Sequence, residues 1–115
     1  MTPRKTLRSL RVLDVTIDAI QRLAPVVRTI RTSDSDLAAQ IRRAASSIAL
    51  NLGEGNASLG GNRRKHFHIA LGSTREVREA LRVAVAWGYI AEVGSIDEQL
   101  DIIGAMTWRL MHSEP

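Results

Sequence analysis

Apolar residues recur along the chain at alternating spacings of three and four, the rhythm of helices that each bury one stripe. Leu10, Leu13, Ile17, Ile20, Ala24 and Val27 keep this rhythm. The spacing predicts a helix from about Leu7 to about Arg31 with that set as its seam. Pro25 falls inside it, removing one backbone donor and crowding the carbonyl of Gln21. A kink is expected there rather than a break, because the rhythm continues to Ile30. The connector from Thr32 to Asp36 is rich in residues that cap helix N-termini. A second helix is expected from about Asp34 to about Gly53, on Leu37, Ile41, Ala44 or Ala45, Ile48 and Leu52. Its many Ala and Ser residues let a neighbouring helix come close.

Gly53, Gly55, Gly60 and Gly61, with Asn56, Ser58 and Asn62, read as the next turn. A third helix is expected from about Asn62 to about Trp87, on Phe67, Ala70, Thr74, Val77, Leu81 and Ala84, ended by Gly88. Ser95 with Glu98 three residues later has the pattern of a capping box. It opens a fourth helix to about Met111, through Ile96, Leu100, Ile103, Met106 and Leu110. No run alternates with period two, so no strand is expected. Four amphipathic segments with short connectors predict an all-α fold, an antiparallel up-down-up-down four-helix bundle, as one domain over residues 1–115.

Composition narrows the setting. Only Phe67, Trp87, Tyr89 and Trp108 are aromatic, so the interior must be aliphatic. There is no cysteine, which excludes disulfides and thiolate metal sites and suits a reducing cytoplasm. No apolar stretch approaches the ~20 residues of a membrane span, and the basic N-terminal segment lacks the apolar core of a signal peptide. A soluble cytoplasmic protein with no membrane role is expected. The net charge is +4, and it is unevenly spread. Residues 1–33 carry seven basic and two acidic groups, residues 61–88 six and two, and residues 89–115 one and five. Such segments can pair within the molecule, across subunits, or with a polyanion.

Candidate chemistry concentrates in two places. The first is the segment QIRRAASSIALNLGEG, where Ser47, Asn51 and Glu54 step along one face beside the apolar stripe. With a turn centred between Leu59 and Gly60, Ser47 would lie near Gly72 and Asn51 near His68, with Arg42 and Arg43 toward Arg75, Glu76 and Glu79. Arg43, Ser47, Asn51, Glu54, Ser73 and Glu76 then read as a polar network that fixes helix register. A catalytic reading of the same residues lacks a nucleophile. The glycine-rich turn is no phosphate loop, because Gly61 and Asn62 stand where Lys and Ser or Thr are needed. His66 and His68 are two apart and point to different faces, so no metal site is expected. Nothing calls for a cofactor or an active site.

The second place is the bundle end from which helices 1 and 3 start. Arg4, Lys5, Arg8 and Arg11 form one basic cluster; Arg63, Arg64 and Lys65 form another. Three cations at a helix N-terminus oppose its dipole, which points to a use. Phosphate neutralisation is one use and a solvated or subunit-paired surface the alternative. The nearest aromatic, Phe67, belongs to the apolar seam, which argues against base stacking. Trp108 lies off its helix's stripe, and an exposed Trp on a small bundle suggests an oligomer contact. Acidic Asp97, Glu98 and Asp101 could then meet the basic helix 1 or 3 of a neighbour.

The chain also resembles a known family. Gln40, Arg42, Arg43, Ala44, Ser47, Ile48, Asn51, Glu54 and Gly55 match the pattern Q-L-R-R-A-x-x-S-I-x-x-N-I-A-E-G. Ile69, Ala70, Gly72, Ser73 and Glu76 match I-A-x-G-S-x-x-E. This two-part motif is similar to that of the bacterial large-subunit rRNA intervening-sequence proteins. Their group includes the accessory variability determinant proteins of diversity-generating retroelements. Gly53 departs from the pattern's Ala, and the connector before helix 2 is atypical. The resemblance implies an antiparallel bundle that assembles as a ring, usually a pentamer. Retroelement members are basic, bind nucleic acid and partner a reverse transcriptase. Residues and resemblance together lead to the expectation of a non-catalytic, homo-oligomeric adaptor for RNA or DNA, without sequence specificity. The alternative is a protein-binding scaffold with no nucleic-acid role.

Overall fold

The computed structural model describes residues 4–113, with side chains described from residue 10 onward. Four helices follow one another: α1 Arg4–Arg31, α2 Ser35–Ala57, α3 Gly60–Ala86 and α4 Ser95–His112. Each packs on its neighbours in chain order and α4 closes back on α1, so the expected up-down-up-down bundle is what forms. Its extents are 47 × 21 × 18 Å, two helix diameters across.

Local chemistry explains most of the boundaries. Asp34 caps α2, its carboxylate accepting from the Leu37 N–H at 2.9 Å. The amide of Asp34 also donates to the Ile30 carbonyl, so one residue ends α1 and starts α2. α1 runs through Pro25 as a single helix. α2 runs four residues past the expected Gly53, to Ala57, with Gly53 and Gly55 inside it. Ser58 ends it, its hydroxyl donating to the Glu54 carbonyl and its amide to that of Gly55. α3 closes with Gly88 at φ 80°, and the Tyr89 amide returns to the Ala84 carbonyl at 2.9 Å. The expected capping box at Ser95 does not form. Gly94 takes the cap position at φ 76° without a side-chain bond, and the Ser95 hydroxyl accepts instead from Arg22 of α1. Asp97 and Glu98 in the first turn of α4 still oppose the helix dipole favourably.

The interior is aliphatic, with Phe67 its one aromatic ring. Ile41, Ile48 and Leu52 of α2, Val77 and Leu81 of α3, and Leu100 and Ile103 of α4 are all buried in one core cluster. Buried Thr74 and Thr107 donate to carbonyls four residues back, Ala70 and Ile103, which satisfies their hydroxyls.

α1 corrects the sequence reading. Its buried set is Val12, Thr16, Ala19, Leu23 and Ile30. In the expected seam, Leu10 is 41 % and Ile17 45 % exposed, and Leu13, Ile20, Ala24 and Val27 are half-buried. Leu13, Ile17, Ile20 and Ala24 each directly follow a core residue, so they lie about 100° round the helix from it. α1 therefore carries two adjacent apolar stripes. The stripe with the bulkier residues is the outer one. The inner stripe holds small Ala19 and polar Thr16, whose hydroxyl donates to the Val12 carbonyl at 2.9 Å.

Candidate functional site

The α2–α3 seam carries a chain of four polar side chains. The Ser47 and Ser73 hydroxyls lie 2.8 Å apart. The Asn51 amide nitrogen donates to the Ser47 carbonyl at 2.9 Å and to the Ser47 hydroxyl at 3.1 Å. That leaves the Asn51 side-chain oxygen facing His66 Nδ1 at 3.0 Å. Because an amide oxygen only accepts, this pattern assigns the proton to Nδ1 and leaves Nε2 as the basic nitrogen when the ring is neutral. The expected partners differ by a short step: Ser47 meets Ser73 rather than Gly72, and Asn51 meets His66 rather than His68. Arg43, Glu54 and Glu76, expected in this network, are exposed and make no side-chain bond in it. His66 was missed because a histidine two residues from another reads as a failed metal pair, and only the α2–α3 register shows what it faces.

Arg63 is the second correction. Expected among the phosphate-binding cations, it is only 6 % exposed. Its Nη1 donates to the Gly55 carbonyl at 3.1 Å, and its guanidinium sits 4.5 Å over the Phe67 ring. Phe67 in turn presses on Gly55, where an added Cβ would lie 2.5 Å from the ring. Glycine at this position is thus a packing requirement of the α2–α3 contact. Arg63 stitches the end of α2 to the start of α3, satisfying a backbone oxygen and stacking on an aromatic face.

The remaining basic residues separate. Arg64 and Lys65 at the start of α3 and Arg11 on α1 are exposed. The side chains of Arg4, Lys5 and Arg8 lie outside the described residues. The starts of α1 and α3 share one end of the bundle on diagonally opposed helices. A second basic group, absent from the sequence reading, sits at the other end. Arg28 and Arg31 of α1, and Arg42 and Arg43 of α2, are exposed and make no ion pair among the described residues. Arg28 and Arg31 lie in the last turn of α1, where cations are ordinary dipole partners, so nothing in the sequence joins them to Arg42 and Arg43.

Acidic α4 is tied to α3. Arg78 Nε donates to Asp97 at 2.9 Å and Nη1 to Asp101 at 3.1 Å. The hydrogen bond from Arg78 holds the Asp97 carboxyl below its usual range, and the Arg78 and Arg82 charges act the same way. Tyr89 donates to Asp34 at 3.1 Å; partial burial and then this carboxylate push its phenol up. Among the described residues, no three His, Asp or Glu side chains converge as a metal site, and no helix is long and apolar enough to cross a membrane.

One family matches over residues 8–109: the 23S rRNA-intervening sequence proteins. No curated protein and no solved structure matches the chain. The family match spans α1 from its second turn to the last turn of α4, so it takes in the α2–α3 seam, the Gly55–Phe67 contact and the basic residues from Arg8 onward, but not Arg4 and Lys5. The chain belongs to the 23S rRNA-intervening sequence protein family.

Proposed function

We propose that this protein is a non-catalytic, self-associating cytoplasmic adaptor that holds nucleic acid, or a nucleoprotein, by its phosphates without reading base sequence. One observation carries the reading: Arg11, Arg64 and Lys65 are exposed at one end of the bundle and have no carboxylate partner among the described residues. Arg4, Lys5 and Arg8 extend the same charge along the chain. Unpaired surface cations gain most from a polyanion, which releases counterions on binding. Arg63 leaves this set because it is buried against Phe67. By resemblance, self-association would take the form of a ring, usually of five copies, and a reverse transcriptase is the partner that a retroelement context would supply.

Titration of RNA and DNA binding against salt tests the proposal. Each phosphate neutralised adds about 0.9 to the log–log slope on duplex. Reversing Arg11, Arg64 and Lys65 to Glu should flatten that slope, while Arg63→Gln should lower stability and leave the slope unchanged. Absence of binding at low salt, or a slope indifferent to the three reversals, defeats it.

A second reading, a protein scaffold with no nucleic-acid role, draws support from exposed apolar side chains on α1 and α4. Assembly without any affinity for RNA or DNA would favour it.

A further inference from the structure

α2 touches α3 closely but leaves a groove along α1. The groove encloses about 600 Å³ and is floored by Leu23, Ala24 and Val27 of α1 and Ala38 and Ala45 of α2. Alanines on the α2 wall keep it open. The outer stripe of α1 prolongs it through Ile20, Ile17 and Leu13. Three cations, Arg28, Arg31 and Arg42, stand along it, and among the described residues no carboxylate lines it. A nucleic-acid backbone would satisfy the cations but not the apolar floor. An amphipathic helix with acidic and apolar residues on one face would satisfy both.

The chain itself contains such a face. On the outer side of α4, Ile102 is 52 % and Trp108 53 % exposed. Ala105, Glu98 and Asp101 are exposed beside them. The Asp101 side chain remains 71 % exposed despite its bond to Arg78, and Glu98 makes no ion pair among the described residues. From Glu98 to Trp108 the stripe runs about 15 Å, and from Ile20 to Arg31 the groove runs about 16 Å, at 1.5 Å per residue.

We infer that the α1–α2 groove receives the outer face of α4 from a second copy of this chain, with Arg28, Arg31 and Arg42 meeting Glu98 and Asp101. The inference rests on the self-association proposed above and names its two surfaces. Direction follows from the bundle. Arg22 donates to Ser95 and Gln99, so the acidic start of α4 lies toward the same end as the arginines that close α1. Matching charge therefore sets neighbouring bundles side by side and pointing the same way. The two surfaces are different, so the contact is heterologous, and repetition closes a ring or grows a filament.

Two variants of the full chain test this: Arg28→Glu with Arg42→Glu in the groove, and Glu98→Lys with Ile102→Asp on α4. All four positions are exposed, so far-ultraviolet circular dichroism should match the parent. In light scattering with size exclusion, each variant alone should be monomeric. An equimolar mixture should form dimers and nothing larger, because each pair then holds one intact groove and one intact α4. Variants that assemble like the parent, or a mixture that stays monomeric, overturn this interface while leaving self-association standing. A parent that is monomeric at high concentration overturns both.

Discussion

α2 presents small residues on two sides, and the outcome differs completely. Toward α3, Gly55 admits the Phe67 ring, Arg63 covers that ring and bonds the Gly55 carbonyl, and Ser47 and Asn51 find Ser73 and His66. Toward α1, Ala38 and Ala45 line a groove that remains open. Small residues alone therefore do not make a tight contact. They make room, and the opposite helix decides whether it is filled. α3 fills it from within the chain. α1 turns a second apolar stripe toward the opening instead, which leaves the molecule one filled seam and one open, partly apolar surface.

Removing the filler is the strongest way to break this contrast. Phe67→Ala should cost about 3–5 kcal/mol through lost burial and the cavity left behind. Urea unfolding should show a lower midpoint with an unchanged slope. Gly55→Ala attacks the same contact from the other side. Overpacking costs about 1–3 kcal/mol, offset by about 1 kcal/mol of helix propensity, so a net loss of up to about 2 kcal/mol is expected in the same experiment. A stabilised Gly55→Ala protein would mean that the ring yields freely and the seam is less tight than described. Asn51→Ala leaves Ser47 and His66 without their shared partner in a half-buried place and should cost about 1 kcal/mol in urea.

The α3–α4 pair offers a reference outside both regions. The Asp97 carboxyl is held low in the folded state by Arg78, so its contribution is present above the ordinary carboxylate range near about pH 4. It fades as pH falls through that range toward the lowered value. The pair is solvent-exposed, so roughly 0.2–1 kcal/mol is at stake. Thermal melts in acid should show Asp97→Asn converging on the parent as pH drops. Smallest of all on stability is Ile17→Asp, on the groove side of α1, expected within about 0.5 kcal/mol. In the monomeric Arg28→Glu, Arg42→Glu background, where loss of a partner cannot contribute, a large loss in a thermal melt would place Ile17 in the core and end the contrast.

Much of this was legible beforehand. Helix number, order and most ends were readable because each depends on neighbours a few residues away: Asp34 reaches Leu37, Gly88 reverses the chain, and Ser58 bonds Glu54. The stripes of α2, α3 and α4 were readable because each helix has one dominant apolar face. α1 was not, since two stripes about 100° apart both keep the helical rhythm, and bulk favoured the wrong one. Of the polar network, Ser47, Asn51 and Ser73 were found and His66 was missed. Arg43, Glu54 and Glu76 were included wrongly, because spacing along α2 cannot say how far α3 has slid against it.

A 115-residue chain with this periodicity and these caps had to make four amphipathic helices, because hydrogen bonds and side-chain spacing along a helix are set within one or two turns. Packing settled the rest: which stripe of α1 turns inward, whether Arg63 meets a phosphate or a phenyl ring, and where α2 is left uncovered. Those outcomes turn on which residues, distant along the chain, stand opposite one another, and no local rule contains that.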